Sequence, residues 1–162
     1  MAKASVLFVC LGNICRSPLA EGAFRAEAAR LSLDVVVDSA GTGGWHKGDP
    51  PDPRAVAVAR RNGVDISGLK ARQVTPNDFR RFTHIYALDH DNLRGLLRIA
   101  PADATAEVGL LLNLVEGHTG RAVADPYYGD DAGFDVTWND VVMGAEALAK
   151  RLVDEGWDQC KV

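Results

Sequence analysis

The sequence lacks several features that would assign it to a specialised class of protein. Its longest apolar runs, at 6–11 and 108–112, fall well short of the roughly 20 residues that span a bilayer. It has no basic surplus either, because 18 Lys and Arg stand against 22 Asp and Glu, for a net charge of -4. These absences argue against a transmembrane protein and against a binder of nucleic acid or anionic membranes.

Cysteine is also scarce. Three cysteines, an odd number, are too few for a disulfide framework in a chain of 162 residues. The first apolar run follows Lys3 as in a secretion signal, but Asn13 and Arg16 interrupt it and no small-x-small cleavage site precedes them. We therefore expect a reducing, cytoplasmic location. The length, with 47% hydrophobic and 25% charged residues, predicts one globular domain over residues 1–162.

The patterns that are present alternate between strand and helix. The continuously apolar run at 5–10 is typical of a strand buried on both faces, and a helix is predicted after it with Pro18 at its first position. A second strand over 34–38 is expected to stop at the turn-forming residues 39–44. The irregular segment 43–53 is expected on the surface near a site. Further helices are predicted at 52–61, after 75–78, at 89–98 and at 134–155, and further strands at 83–88 and 105–111.

This alternation predicts an α/β fold, an open parallel sheet with helices on both faces. Ligands of such sheets bind beyond the carboxyl ends of the strands. The loop that follows the first strand lies at such an end, and the loop at 125–129 is a second segment without helix or strand pattern. The first strand–helix junction is therefore the candidate location of a ligand site.

Residues 10–17, CLGNICRS, carry a combination that suits phosphate. The chain leaves a buried strand and enters a helix within a few residues, so backbone N–H groups and the positive helix N-terminus can converge on an anion. Arg16 adds a planar guanidinium that matches two phosphate oxygens. Because positive surroundings favour the thiolate form of a cysteine, Cys10 is a candidate nucleophile. Taken alone, the spacing of these two residues fits plain structural roles equally well, with Cys10 as a small buried core residue and Arg16 as a solvated charge.

Other residues of this segment have two possible roles each. Gly12 lets the backbone approach an anion, and Asn13 tolerates a left-handed conformation. Ser17 can cap the helix or direct its hydroxyl at the Cys10 sulfur, and it cannot do both well. Cys15 is either a small residue for a crowded turn or a partner for Cys10 after oxidation, since a sulfenic acid condenses readily with a neighbouring thiol.

Residues 9–18, VCLGNICRSP, closely resemble the signature of the low-molecular-weight protein tyrosine phosphatases. Further family landmarks follow in family order, so the resemblance covers essentially the whole chain. It implies four parallel strands in a three-layer α/β fold, no metal or organic cofactor, and a cysteinyl-phosphate intermediate. The additional landmarks are Ser39–Thr42, Trp45, Ala71–Gln73, Asp89–Leu93 and Asp125–Gly129.

The resemblance also implies roles for individual residues. Cys10 corresponds to the nucleophile, Arg16 to the phosphate clamp and Asp125 to the general acid, which Pro126 favours in an extended conformation. The implied partners are phosphotyrosine-containing proteins, bacterial tyrosine kinases among them, with inorganic phosphate as product. The phosphate-binding set is Leu11, Gly12, Asn13, Ile14, Cys15, Arg16 and Ser17, and the aromatic walls of the substrate slot are Trp45, Tyr127 and Tyr128.

One position departs from the family pattern. Many members carry a His that supports the Asn of the phosphate loop, and Leu69 stands there in this chain. The expectation is that this hydrogen bond is absent or replaced. The four histidines, His46, His84, His90 and His118, are expected to be structural or to lie on the surface.

Four alternative functions compete with the one that the resemblance implies. Arsenate reductases share this fold and loop but need further cysteines, and only Cys160 lies outside the loop. Protein-arginine phosphatases also resemble this family, but they carry Thr at the loop position that Ile14 holds here. Ile14 therefore favours phosphotyrosine. A zinc module built on Cys10 and Cys15 lacks a second close pair of ligands. A phosphate-binding module without catalysis would have no need of nucleophile, Arg and Asp-Pro together.

Overall fold

A sheet of four parallel strands forms the centre of the protein in a computed structural model that describes residues 3–159. Its strands are β1 (Ala4–Cys10), β2 (Val35–Gly41), β3 (His84–Ala87) and β4 (Glu107–Leu110), in the order β2-β1-β3-β4. The helices are α1 (Arg16–Arg30), α2 (Pro53–Arg61), α3 (Asp78–Arg81), α4 (His90–Ile99) and α5 (Asp131–Asp154), with a 3₁₀ helix at Leu111–Leu114.

Helices cover both faces of this sheet, which confirms the predicted fold class. On one face, α1, α2 and α5 pack together, and side chains such as Phe8 and Phe24 contact at 5.7 Å between ring centroids. On the other face, α4 and the short α3 cover a second cluster that includes Leu7 and Phe79. The residues of β1 therefore alternate between two apolar layers, which is why this strand is apolar throughout.

Several boundaries differ by a few residues from the sequence-based expectation, among them the start of α5 at Asp131, three residues before the predicted 134, and two of the differences lie next to the candidate site. Strand β2 continues to Gly41, through residues predicted to form a turn, because Cys10 pairs with Gly41 at the end of the β1–β2 ladder. Helix α1 begins at Arg16, so Pro18 is its third residue and not its first. The helix therefore starts inside the loop that carries the candidate chemistry.

The strand order brings several loops to the carboxyl edge of the sheet. Cys10 ends the central strand β1, and the chain segments after β2 and β3 flank it on both sides. The loop after β1, the 42–52 segment and the 123–130 segment meet at this edge. No helix within residues 3–159 is long and apolar enough to cross a membrane.

Candidate active site

A pocket of about 310 Å³ opens at the carboxyl edge of the sheet above Cys10. Three separate segments form its wall, namely the loop after β1, the 45–46 region and the loop at 125–128. Its lining residues are Cys10, Leu11, Gly12, Ile14, Cys15, Arg16, Trp45, His46, Asp125, Tyr127 and Tyr128. Most of the residues predicted from the sequence thus lie around one cavity.

The loop at 11–15 has the backbone shape expected of an anion cradle. These residues belong to no helix or strand, so their N–H groups lie outside the sheet ladder and the hydrogen bonding of α1. Asn13 adopts the predicted left-handed conformation, with φ 58°. The loop is fixed at its base, since Thr42 N donates to the Cys10 carbonyl at 2.9 Å and Gly43 N to the Leu11 carbonyl at 2.9 Å.

The sulfur of Cys10 has one polar partner in its own loop. Ser17 Oγ lies 3.0 Å from Cys10 Sγ, and the Ser17 side chain makes no helix cap. Asn13 Nδ2 donates to Ser17 Oγ at 2.8 Å, so the Ser17 hydrogen is available to the sulfur at 3.0 Å or to the Ala40 carbonyl at 3.5 Å. The structure therefore selects the second of the two roles predicted for Ser17. Asn13 and Ser17 are buried behind the loop and do not line the pocket.

Asn13 is held by partners from elsewhere in the chain, which answers the question raised by Leu69. Arg72 N donates to Asn13 Oδ1 at 3.0 Å, and Asn13 Nδ2 also donates to Ser39 Oγ at 3.0 Å. Leu69 is half-buried and packs against the core that contains α1. Both of these groups come from outside position 69, so the loop Asn is supported without a His there.

The same network extends to a buried carboxylate on α1. Ser39 Oγ donates to Glu21 Oε1 at 2.8 Å, and Arg25 binds the other oxygen of Glu21 at 2.8 Å. Burial raises the pKa of Glu21, while the bonds from Ser39 and Arg25 oppose that rise. A continuous chain of polar contacts thus runs from Arg25, which is half exposed, to the sulfur of Cys10.

Arg16 is a buried cation that faces the pocket. Its side chain is 4% exposed, and Nη1 donates to Asp89 Oδ2 at 2.7 Å and to the Val123 carbonyl at 3.1 Å. Burial by itself lowers the pKa of a guanidinium, but the hydrogen bond to Asp89 and nearby negative charges hold the pKa of Arg16 above its ordinary value. Arg16 is therefore oriented before any ligand binds, which suits a clamp for an anion.

Asp125 approaches the same guanidinium from a loop far along the chain. Its Oδ2 lies 3.6 Å from Arg16 Nη2, and its side chain is 44% exposed. Asp125 Oδ1 accepts a hydrogen bond from Tyr127 N at 3.1 Å, so the carboxylate stabilises its own turn. The pocket accordingly contains a thiol, a fixed cation and a carboxylate with access to solvent.

Comparison with known proteins accounts for this arrangement. The profile of the family described as "Low molecular weight phosphotyrosine protein phosphatase" matches residues 5–157. The chain belongs to this family. It is 45% identical over 132 residues to the low-molecular-weight phosphotyrosine protein phosphatase of Schizosaccharomyces pombe, covering 80% of this chain and 84% of that one. Identity to the low-molecular-weight protein-tyrosine-phosphatase YfkJ of Bacillus subtilis is 41%, covering 93% and 97% of the two chains.

Solved structures agree with the sequence comparison. The crystal structure of YfkJ matches with a TM-score of 0.89 at 40% identity, covering 96% of this chain and 98% of that one. A Drosophila arginine phosphatase matches with a TM-score of 0.85 at 29% identity, covering 90% and 96%. The protein is thus a protein-tyrosine phosphatase of the low-molecular-weight family, which acts on phosphoproteins.

The aromatic residues predicted for this phosphatase form the outer rim of the pocket. Trp45 is 73% exposed and Tyr128 is 95% exposed, while Tyr127 contacts Tyr128 edge to face at 4.9 Å between ring centroids. Exposure of large aromatic rings at a pocket mouth is suited to contact with an apolar or aromatic ligand. None of these rings is needed to fill the core.

Two residues of the phosphatase site were not predicted from the sequence. His46, expected from the sequence to be structural or on the surface, lines the pocket, and a Cβ on Gly12 would come within 3.1 Å of its ring. Asp89, which the sequence marks only as a helix start and a family landmark, is the ion-pair partner of Arg16. The signal for Asp89 was its position directly after β3, because the ends of neighbouring parallel strands meet at one edge.

Cys15 differs from Cys10 in its surroundings. It is 5% exposed, and burial together with the negative charge of Asp52 raises its pKa far above the ordinary range. Both cysteines are free thiols, and Cys160 lies outside the described residues. Residues 3–159 contain no group of three or more His, Cys, Asp or Glu side chains that could hold a metal ion.

Proposed function

We propose that this phosphatase hydrolyses phosphotyrosine through a cysteinyl-phosphate intermediate, with Cys10 as nucleophile, Arg16 as clamp and Asp125 as general acid. The observation that carries the proposal is that a buried thiol, a preoriented guanidinium and an accessible carboxylate face one pocket. The 3.6 Å separation of Asp125 and Arg16 suits groups that act on the same phosphoryl group from different sides.

In the first step, the Cys10 thiolate attacks phosphorus and the bond from phosphorus to the phenolic oxygen breaks. Asp125 gives its proton to that oxygen, because a phenolate is a poor leaving group until it is protonated. Arg16 and the N–H groups of the 11–15 loop bind the three non-reacting oxygens, where negative charge is concentrated. The Ser17 hydroxyl, 3.0 Å from Sγ, stabilises the thiolate before attack and as the later leaving group.

In the second step, water attacks phosphorus and the phosphorus–sulfur bond breaks. Asp125, now a carboxylate, takes a proton from the water, and Cys10 leaves as the thiolate. Inorganic phosphate is the product, and both residues return to their initial protonation states. No step requires a metal or an organic cofactor.

The rim favours an aromatic phosphate ester carried by a protein. Trp45, Tyr127 and Tyr128 flank the pocket mouth, so a phenyl ring that enters between them leads its phosphate to the loop below. The partners that this proposal implies are phosphotyrosine-containing proteins, bacterial tyrosine kinases among them. The proposal places the enzyme in the cytoplasm.

Two activities of the same fold are the alternatives. The similarity to a protein described as an arginine phosphatase favours testing phosphoarginine. Ile14 lines the pocket at the loop position where protein-arginine phosphatases, which resemble this family, carry Thr. Ile14 therefore argues for phosphotyrosine. Arsenate reduction would need a cysteine relay beyond Cys10 and Cys15.

The deciding experiment measures kcat/KM on peptides that carry phosphotyrosine, phosphoserine or phosphoarginine, followed by a series of aryl phosphates. Phosphotyrosine should be the preferred peptide, and Cys10→Ser should abolish turnover while the folded variant still binds phosphate.

Asp125→Ala should slow hydrolysis by roughly 10²- to 10⁴-fold for phenols of high pKa and by less for acidic phenols. Turnover by Cys10→Ser within about tenfold of the parent would exclude the nucleophile, and a uniform loss in Asp125→Ala would exclude the general acid.

A further inference from the structure

Arg54, on helix α2, contacts the loop that carries Asp125. We propose that Arg54 is a positioning residue that holds Asp125 in the orientation needed for proton transfer. The inference rests on the proposed role of Asp125 as general acid and adds a residue that touches neither phosphate nor the reacting atoms. Arg54 lies outside the pocket lining.

The contacts of Arg54 bracket the segment after Asp125. Its Nη2 donates to the Tyr127 carbonyl at 2.9 Å and its Nη1 to the Gly129 carbonyl at 3.2 Å. One guanidinium therefore binds two carbonyl groups of the same exposed loop. Because the planar fork fixes both distances together, it restricts the loop more than a single hydrogen bond would.

Arg54 is itself fixed by Asp52, the N-cap of α2. Asp52 accepts hydrogen bonds from Arg54 N at 2.8 Å, Nε at 3.2 Å and Nη2 at 3.1 Å. The backbone N–H of Asp52 donates to the Ile14 carbonyl at 2.8 Å, inside the phosphate-binding loop. The pair Asp52–Arg54 thus connects the loop of the nucleophile to the loop of the general acid through a short, charged bridge.

The other side of Asp125 is anchored independently. The Ala124 carbonyl accepts a hydrogen bond from Thr137 Oγ1 at 3.0 Å, and Val123 N donates to the Leu88 carbonyl at 2.8 Å. After Asp125, buried Pro126 packs near Gly133 at the start of α5, and within the described chain the side-chain hydrogen bonds that reach the loop carbonyls of Tyr127 and Gly129 come from Arg54. Loss of this guanidinium therefore removes both of these hydrogen bonds while the segment before Asp125 stays attached to the core.

Packing explains why an arginine suits this position. Its guanidinium carbon lies 4.7 Å from the centre of the buried Phe134 ring and 5.8 Å from that of Tyr127. A flat cation can stack on an aromatic face and still direct its N–H groups at the two carbonyls. Lysine offers neither the plane nor the fork.

The test uses Arg54→Met, which keeps an unbranched apolar side chain over Phe134, and Arg54→Lys, which keeps the charge. The matched control is Arg61→Met, because Arg61 also joins α2 to α5, through an exposed ion pair to Asp135 at 3.0 Å, and makes no contact with the Asp125 loop. Each variant is made in the parent and in the Asp125→Ala background. The readout is kcat/KM across aryl phosphates whose phenols span a wide range of pKa.

Arg54→Met should lose about tenfold or more of kcat/KM for the most basic phenols and about twofold or less for the most acidic, part of the range that general acid catalysis supplies. In the Asp125→Ala background the same substitution should change kcat/KM by less than about twofold, since the proton donor is already gone. Arg54→Lys should fall between parent and Arg54→Met, and Arg61→Met should match the parent.

Equal losses for all phenols, or equal losses with and without Asp125, would overturn the inference and make Arg54 a purely structural residue. If Arg54→Met fails to show a cooperative thermal transition, Arg54→Lys decides by the same slope. If Asp125→Ala alone loses the same fraction of kcat/KM for every phenol, the proposed function is overturned and this inference with it. The two failures are distinguishable, because the second appears without any change at Arg54.

Discussion

Cys10 and Cys15 show how two identical side chains in one loop acquire different properties. Cys10 lies 3.0 Å from the Ser17 hydroxyl, beside the N-terminus of α1 and the guanidinium of Arg16. Cys15 is surrounded by apolar atoms and by the charge of Asp52, which keep it protonated at neutral pH by raising its pKa. The loop therefore holds one thiol beside a hydroxyl and a cation, and a second thiol that stays protonated.

This pair leads to a prediction about oxidation. Peroxide should convert Cys10 to a sulfenic acid, which condenses with the Cys15 thiol to a disulfide and releases water. A disulfide requires α-carbons within roughly 4.4 to 6.8 Å, so Cys10 and Cys15 must reach that separation for the bond to form. We expect dithiothreitol to restore most of the activity of the oxidised parent and little of that of Cys15→Ser, each measured against its own untreated sample.

The mass of the loop peptide provides the second measurement. The oxidised parent should lose the mass of two hydrogens, and Cys15→Ser should gain oxygen atoms in their place. Equal recovery in both proteins, or an oxidised parent without that mass loss, would assign Cys15 to packing alone.

Helix α1 brings together the parts of the site that are local in sequence. It begins at Arg16 and places Glu21 and Arg25 on one face, four residues apart, with the Glu21 carboxylate buried against Ser39. Since Ser39 gives its hydrogen to Glu21, Ser39 Oγ accepts from Asn13 Nδ2, which also donates to the Ser17 hydroxyl beside the Cys10 sulfur. The Glu21–Arg25 pair on α1 is thus connected through Ser39 to Asn13 in the phosphate-binding loop.

We predict that Arg25→Ala destabilises the fold by about 1–3 kcal/mol, because it removes a partner from a buried carboxylate. It should also slow alkylation of Cys10 by iodoacetate at neutral pH. Arg30→Ala is the matched control, since Arg30 pairs with Glu27 on the same helix in an exposed ion pair, and should change stability by less than about 0.5 kcal/mol. Urea unfolding and alkylation rates measure the two effects. If Arg25→Ala and Arg30→Ala show the same unfolding free energy and the same alkylation rate, the Glu21–Arg25 pair contributes nothing to the loop.

At the scale of the whole molecule, the sheet has its site at one edge and a buried histidine toward the other. His84 begins β3, contacts Trp157 edge to face at 5.5 Å between centroids, and lies 3.6 Å from Glu107. Burial lowers the pKa of His84, although Glu107 and Glu155 oppose this and Arg151 adds to it. The folded protein therefore holds this ring neutral at a pH where the unfolded chain takes up a proton.

The sign of the effect on stability follows from proton binding. A histidine whose pKa is lower in the folded state binds more protons when unfolded, so folding weakens as pH falls below the ordinary value of about 6.5. We predict that the free energy of unfolding falls between pH 7 and pH 5 by less in His84→Gln than in the parent. Urea titrations at pH 7, 6 and 5 measure these slopes. His90→Gln, at an exposed ring, is the control for the loss of a histidine, and a slope in His84→Gln equal to that of the parent would refute the prediction.

The sequence by itself determined the elements and the local half of the site. Alternating strand and helix patterns predicted the parallel sheet, and residues 10–17 predicted the anion loop, the left-handed Asn13 and the pairing of Cys10 with Arg16. These features depend on a few consecutive residues at one strand–helix junction. Local backbone geometry places them on one short strand–loop–helix segment.

Only the tertiary structure decided which distant side chains complete the site. Asp89 reaches Arg16 because β3 lies beside β1, and Ser39 reaches Asn13 because β2 pairs with β1 through Gly41. Arg54 contacts the Asp125 loop because α2 and α5 pack on the same face of the sheet. Strand order, register and helix packing set these contacts. The residue pattern of a single segment cannot predict these contacts, because each contact depends on two segments that meet in space.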